Sequence, residues 1–349
     1  EQKEQKFWID FLKNLDDFIT SKYTHIKSRT LVLNGLDMEK TLLTSQGSQS
    51  YSLTPRSLLI IALGMEKNGE PVEFHEVHGG LGQMQDNFID PSNYYNDIDQ
   101  QVEHLQAKAN GIKPIAGCKD VILDADLAGI LAHEAIGHTT EADFVMGGSI
   151  AGDYMDQQVA SSLVNLVDYA HTFNNKICPV PVKIDDEGTK SEDVTIIKDG
   201  ILKSYMHNKD SAQYFKNIPT GNARAYAFSD EPLIRMRNTA IVPGNSKLAD
   251  MIASIDDGYY LMKSSNGQAD STSEFMFGVI MGYEIKNGKL GNAIKDTTIS
   301  GVAFDVLKTV DMISDDMKWS AGGMCGKKQW IPVGMGGPAI KCKLNIGGV

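Results

Sequence analysis

The sequence predicts an α+β fold of large, mainly antiparallel sheets with flanking helices, and a metal site on a helix carrying His-Glu-x-x-x-His. Three observations lead there. An Asn-Gly or Asp-Gly pair separates two β-patterned runs at three points, the signature of two-residue hairpins rather than of alternating βαβ units. The first segment has helical periodicity, and the period changes immediately after it. At 349 residues, 42% hydrophobic and 22% charged, the chain has an ordinary globular composition and length enough for two domains.

Taken in order, Trp8, Leu12, Leu15 and Ile19 step by four, three and four, with Phe11 and Phe18 widening the stripe, so an amphipathic helix opens the chain. Leu31-Val32-Leu33 reads as a strand and residues 58–65 as another. Lys67-Asn68-Gly69 turns the latter into 72–77. The same punctuation stands at Lys198-Asp199-Gly200, between 194–197 and 201–206, and at Lys286-Asn287-Gly288, after 277–285. The flanking segments are dissimilar, so there is no internal repeat. Residues 79–100 read as a loop, 94–110 as a helix, and Gly111-Ile112-Lys113-Pro114 as a break. The domain boundary is placed there. Residues 1–113 form the remainder of an N-terminal α+β region, and 114–349 form a C-terminal domain. Val121-Ile122-Leu123 is a buried strand, Asp124 and Asp126 are candidate N-caps, and a helix follows from Leu127. Near the end, Gly322-Gly323-Met324-Cys325-Gly326 and Gly334-Met335-Gly336-Gly337 imply tight turns and close backbone approach. The interleaved Trp330, Ile331, Val333 and Ile340 imply packed structure there rather than a flexible tail.

Charge and cysteine usage narrow the function classes. With 33 basic and 45 acidic residues the net charge is −12. A protein coating a duplex needs a basic face to displace counterions, so this balance argues against direct nucleic-acid binding. No run approaches the ~18–20 apolar residues of a membrane span. The polar start over residues 1–6 is no signal peptide, and it lacks an initiator Met, so further residues are expected upstream. Cys118, Cys178, Cys325 and Cys342 are widely spaced with no CxxC pair, which favours a reducing, cytoplasmic setting.

The helix from Leu127 contains His133-Glu134-Ala135-Ile136-Gly137-His138. Two imidazoles and a carboxylate are the ingredients of a zinc hydrolase. In His-Glu-x-x-His the histidines lie four apart on one helix face. Five apart, they point about 140° away from each other on an α-helix. They converge only if the helix ends near Gly137, where glycine tolerates non-helical angles, or if a π-bulge intervenes. A pair of histidines making ordinary hydrogen bonds at a helix end is the alternative. A catalytic zinc takes three protein ligands and one open position. Glu141 and Asp143 are near in sequence. Cys325 is the thiolate candidate, in a glycine cluster and with Lys327 expected to help hold it ionised. His75-Glu76-Val77-His78 is a second cluster, read as hairpin polar residues, and Asp185-Asp186-Glu187-Gly188-Thr189 is an acidic run before a turn.

Several segments together resemble the TldD/PmbA family, in its metal-bearing TldD branch. They are His133–His138 with Glu141-Ala142-Asp143-Phe144, Ile184 through Thr189, Asp199 through Met206, Pro219 through Arg224, Arg235-Met236-Arg237-Asn238-Thr239, Val242-Pro243-Gly244, Cys325-Gly326-Lys327 and Pro332 through Gly336. The resemblance runs from about residue 120 to the end. It implies a metallopeptidase acting on unfolded or extended peptides, built on large antiparallel sheets, with His133, His138 and Cys325 as metal ligands and Glu134 as the catalytic carboxylate. It also implies a homodimer, or a heterodimer with a metal-free TldE (PmbA)-type subunit. Members usually have a further N-terminal domain, and this chain starts inside or after it. Asn222-Ala223-Arg224-Ala225-Tyr226 and Ser264-Ser265-Asn266-Gly267-Gln268 depart from the family's glycine- and arginine-rich versions, so substrate preference is expected to differ.

The resulting expectation is a cytoplasmic peptidase holding one divalent metal. Zinc is preferred from the donor set over iron or manganese. Glu134 takes a proton from the metal-bound water and passes it to the leaving amine. The peptide substrate lies along a sheet edge, and neither nucleic acid nor membrane is a partner. The alternative is a non-catalytic peptide-binding or chaperone-like module with a structural metal. The family's older naming suggests a DNA-topology regulator, which the −12 charge argues against.

Overall fold

A computed structural model describes residues 3–347. It separates into two compact units, one of Glu1–Lys40, Tyr51–Ile112 and Asn292–Lys295, the other of Thr41–Ser50, Lys113–Gly291 and Asp296–Val349.

The first unit contains helix α1 (Gln5–Lys22), much of strands β1 (Ser28–Leu43) and β2 (Gln49–Lys67), strand β3 (Glu70–Leu81) and helix α2 (Tyr95–Ala109). The three strands form one sheet in the order β1-β2-β3. Asn68 and Gly69 make its second turn with φ of 54° and 83°, the left-handed pair that a two-residue hairpin needs. Helix α1 buries Phe11, Leu15 and Ile19, one residue per turn along a single stripe. Helix α2 packs against β3, and its buried Gln101 donates to the carbonyls of Ile61 (2.8 Å) and Phe74 (3.1 Å). The strands run longer than the apolar runs suggest, because β1 is largely exposed and its polar residues give no β-pattern to read. The 79–100 stretch is also more ordered than a loop. The helical turn Met84–Asn87 is closed by a capping box between Gln83 and Asp86.

The second unit is built on two sheets. Strands β4 (Gly117–Leu123), β9 (Asp257–Ala269), β10 (Glu274–Lys286), β11 (Lys289–Ala293), β12 (Thr297–Val302), β13 (Met312–Ile313) and β18 (Ile340–Ile346) form one, in the order β9-β4-β18-β12-β10-β11, with β13 beside β18. Because β9 also pairs with β10, the pairing returns on itself. Strands β5 (Leu166–Tyr169), β6 (Val194–Lys198), β7 (Ile201–Leu202), β8 (Asn238–Ile241), β14 (Lys318–Trp319) and β17 (Gly334–Gly337) form the other, ordered β14-β17-β8-β5-β6-β7. Pairing is antiparallel except for β4 with β9 and β8 with β17. The Asp199-Gly200 and Asn287-Gly288 turns repeat the left-handed pair. Helix α3 (Ala125–Ile130) packs against β9 of the first sheet and β17 and β8 of the second. A Cβ on Gly129 would lie 2.7 Å from the backbone nitrogen of Gly336, so glycine is needed for that approach. Strands β15 (Met324–Lys327) and β16 (Gln329–Pro332) make a hairpin of their own. Among the described residues, no helix is long and apolar enough to cross a membrane.

Candidate metal centre

Strand β4, buried at Val121, Ile122 and Leu123, delivers the chain to Asp124, whose carboxylate caps α3 by accepting from the Leu127 amide at 2.9 Å. Asp126 is not a cap. It accepts instead from the amide (2.9 Å) and hydroxyl (3.1 Å) of Ser264 on β9. After Ile130 the helix widens into a π-type turn over Leu131–Gly137, in which the His138 amide donates to the His133 carbonyl. That i→i+5 closure brings residues five apart onto one face. The two imidazoles stand edge to face, 5.2 Å between centroids and 79° between planes. Gly137 has φ −56° and ψ −55°, ordinary helical values. Of the two routes to convergence, the π-bulge is the one taken, and Gly137 supplies no non-helical angles. Glycine is needed there for space, because a Cβ would overlap Sδ of the buried Met236.

A wide turn disturbs the i→i+4 ladder and leaves carbonyls to satisfy. Hydroxyls do so here. Thr139 donates to Ile136 O (2.9 Å), Thr140 to Ile136 O (2.8 Å) and Gly137 O (3.0 Å), and Ser273 to Ala135 O (3.0 Å).

Cys325 comes from the β15–β16 hairpin, 187 residues away in sequence, with Sγ 3.3 Å from His138 Nε2. His133, His138 and Cys325 each place one donor atom so that all three lie within 4.8 Å of one another. Glu134 Oε2 is 3.6 Å from His138 Nε2. Glu141 is fully buried and does not join the trio. Its Oε2 faces His138 Nδ1 at 3.1 Å and accepts from Lys327 Nζ at 2.9 Å, while Asp143 meets the same ammonium at 2.7 Å. Lys327 also donates to Ile234 O (3.0 Å) and lies 4.4 Å from the Phe144 ring centroid. Its charge is thus engaged with two carboxylates. Among the other cysteines, Cys118 is exposed on β4, and Cys178 and Cys342 are buried elsewhere.

The electrostatics follow from burial and these partners. Burial drives the His133 imidazole well below its ordinary range, and neighbouring His138 and Arg235 push the same way, so His133 is neutral with a free lone pair. Burial also pulls His138 down, but Glu141 and the Cys325 contact outweigh it and hold His138 well above the ordinary range. Glu134 is raised, chiefly by burial and opposed by His138. Burial lifts Glu141 as well, yet His138 and Lys327 bring it below its usual value. Among the described residues, neither buried ring nitrogen of His133 has a hydrogen-bond partner. An orphaned neutral imidazole beside a second histidine and a cysteine is the donor set a divalent metal takes, and the residues fit it. Glu134 and His138 line a cleft of about 770 Å³, walled by residues 265–271 at the end of β9 and by Met324 and Trp330 of the hairpin.

Residues 116–348 match the PmbA/TldA metallopeptidase C-terminal domain. The chain belongs to the PmbA/TldD family. It is 33% identical over 372 residues to the "Metalloprotease TldD homolog" of Buchnera aphidicola subsp. Schizaphis graminum, covering 99% of this chain and 76% of that protein. With the "Zinc metalloprotease TldD homolog" of Saccharolobus solfataricus it shares 36% over 258 residues, 72% of this chain and 57% of the relative. In structure it is similar to TldE from Thermococcus kodakarensis, with a TM-score of 0.78 at 15% identity over 99% of this chain and 75% of that one, a likeness of fold. His133, Glu134, His138 and Cys325 all fall within the matched PmbA/TldD domain.

Other residues around the centre carry no readable signal in the sequence. Asp168, fully buried, pairs with Arg237 at 2.8 Å and accepts from the Arg237 and Asn238 amides, 69 and 70 residues on. Arg235 and Arg237 stand within the matched domain, but nothing in their spacing shows what they touch. The acidic run is a turn former. Asp185 accepts from the Glu187, Thr189 and Ala223 amides, and Asp186 from the Ala225 amide. His75 and His78 lie on β3, where His78 Nδ1 is 3.5 Å from Asp97.

Proposed function

We propose that this PmbA/TldD chain is a metallopeptidase for unfolded or extended peptides, with His133, His138 and Cys325 holding one divalent metal, zinc by preference, and Glu134 as general base and acid. The observation that carries it is the convergence of the three donors beside Glu134, at a point where Glu134 and His138 line the cleft. A metal bound there supplies Lewis acidity toward a peptide carbonyl and lowers the pKa of water. Glu134, raised by burial, is tuned toward the range where one carboxyl can take a proton from the attacking water and deliver it to the departing amine nitrogen. Glu141 orients His138 by holding Nδ1, leaving Nε2 toward Cys325.

The cleft wall supports an extended substrate. Strand β9 pairs with β4 only over Gly258–Leu261. Beyond Leu261, that edge of β9 has no paired strand among the described residues, and residues 265–269 of it line the cleft. A peptide adding there as a strand would be held by main-chain hydrogen bonds and read loosely by side chain. A structural-metal module would need Glu141 or Asp143 as a fourth ligand, and both carboxylates meet Lys327 instead, at 2.9 and 2.7 Å. We place the protein in a reducing compartment, the cytoplasm, in keeping with four free cysteines. Assembly with a second copy or with a TldE-type subunit of the same fold completes the reading.

The test is Glu134→Gln. It should keep one metal per chain and lose about 10²–10⁴-fold in peptide hydrolysis. A variant that keeps its metal and hydrolyses at the wild-type rate would refute the role of Glu134.

A further inference from the structure

We infer, on the metallopeptidase reading above, that Arg235 is a positioning residue that sets the reach of Cys325 into the metal centre by gripping the main chain of the hairpin that carries it. The β15–β16 hairpin is a two-stranded sheet joined by ladder hydrogen bonds to no other strand among the described residues. Something else must therefore hold it against the histidine pair. Arg235 donates from Nη2 to the carbonyl of Cys325 itself at 2.8 Å, and from Nη1 to the carbonyls of Gln329 (3.2 Å) and Lys327 (3.5 Å). One guanidinium fork thus ties both strands of the hairpin at the ligand. The backbone of Arg235 is itself anchored, its amide donating to Asn222 O at 2.9 Å.

Two features separate this guanidinium from a generic structural arginine. Arg235 and Arg237 are both fully buried, but Arg237 is neutralised by Asp168 at 2.8 Å, whereas Arg235 has no carboxylate within ion-pair distance among the described residues. A buried cation without a counter-carboxylate is costly, so it is expected where its placement serves something else. Among the described residues its Nε is buried with no hydrogen-bond partner, and the fork toward the hairpin carries the guanidinium's hydrogen bonds. The second feature is the shortness of cysteine. Sγ is two bonds from Cα, with a single side-chain torsion, so a shift of the Cys325 peptide moves the sulfur almost one for one. A metal–sulfur bond near ~2.3 Å tolerates about ±0.2 Å. A longer ligand could absorb a loose hairpin by changing rotamer, and cysteine cannot.

The experiment is cobalt substitution of the full chain, in wild type, Arg235→Lys and Arg235→Ala, with far-UV circular dichroism and thermal unfolding confirming that each variant is folded. Thiolate-to-cobalt charge-transfer absorption reports the sulfur separately from the histidines. Wild type should show it. Arg235→Ala should bind Co²⁺ about 10–100-fold more weakly and lose most of that absorption per bound cobalt. Added free guanidinium should restore it and methylammonium should not. Arg235→Lys, which keeps the charge but loses the planar two-nitrogen fork, should fall between, and it carries the test if the alanine variant does not fold. Wild-type affinity and absorption in both variants would overturn the role of Arg235 and leave the metal centre standing. A wild type that binds cobalt without any thiolate band would overturn the ligand set first, and the role of Arg235 with it.

Discussion

The amide of His138 donates to the carbonyl of His133, closing one π-type turn between the two histidines themselves. The turn rather than the spacing gives the pair a common face, since on an α-helix the same residues stand about 140° apart. Gly137 makes room for it against Met236.

Gly137→Ala should therefore strike the centre through packing. The added methyl overlaps Sδ of the fully buried Met236, which must move to admit it. We expect a loss of about 1–3 kcal/mol in urea unfolding, together with weaker metal retention. Pairing it with Met236→Ala should cost less than the sum of the two single changes, because the overlap is gone. Strict additivity would refute the steric account.

Cys325→Ser and His133→Ala each remove one of three converging donors. Wild type purified without added metal should carry about one divalent ion per chain by elemental analysis, and each variant should lose most of it. Full metal content in Cys325→Ser would mean that the distant hairpin does not close the site.

Glu141→Gln tests the layer behind the ligands. The substitution keeps the shape while removing the charge that faces His138 Nδ1 and Lys327. Metal affinity should weaken about 10–100-fold in a chelator competition titration, with the fold retained. An unchanged affinity would show that His138 is oriented by packing alone.

His207 offers a pH test away from the centre. Burial lowers it to about 4 from an ordinary 6.5, and its Nε2 is buried without a partner while Nδ1 meets Ser211 Oγ at 3.1 Å. Between those two values the unfolded chain takes up a proton here that the folded chain refuses. Stability from this site is therefore complete above pH 6.5 and declines as the pH falls toward 4. Urea midpoints across that window should fall less steeply in His207→Gln than in wild type. Parallel slopes would exclude His207 as a source of acid lability.

What could be read without coordinates was local. Asn68-Gly69, Asp199-Gly200 and Asn287-Gly288 announce their hairpins because a two-residue turn demands left-handed angles that few residue pairs adopt, and all three occur. Helix α1 is visible because its buried Phe11, Leu15 and Ile19 recur at the helical period. Strand β1 is legible only at Leu31-Val32-Leu33, because the rest of it is polar and largely exposed, and the helical turn at Met84–Asn87 is hidden by a loop-like composition.

The sequence by itself determined which groups stand available for chemistry: two histidines and a glutamate on one helix, and a cysteine among glycines. Only the tertiary structure decided what they face. The His133–His138 spacing is compatible with divergence on an α-helix or convergence on a π-turn, and the choice depends on Met236 leaving room for a glycine and on hydroxyls from Thr139, Thr140 and Ser273 satisfying the disturbed ladder. Glu141, Lys327 and Arg235 take their places because carbonyls and carboxylates buried tens to hundreds of residues apart in the chain must find partners within about 3 Å. Such pairings are set by the closing of the core, and no local pattern records them.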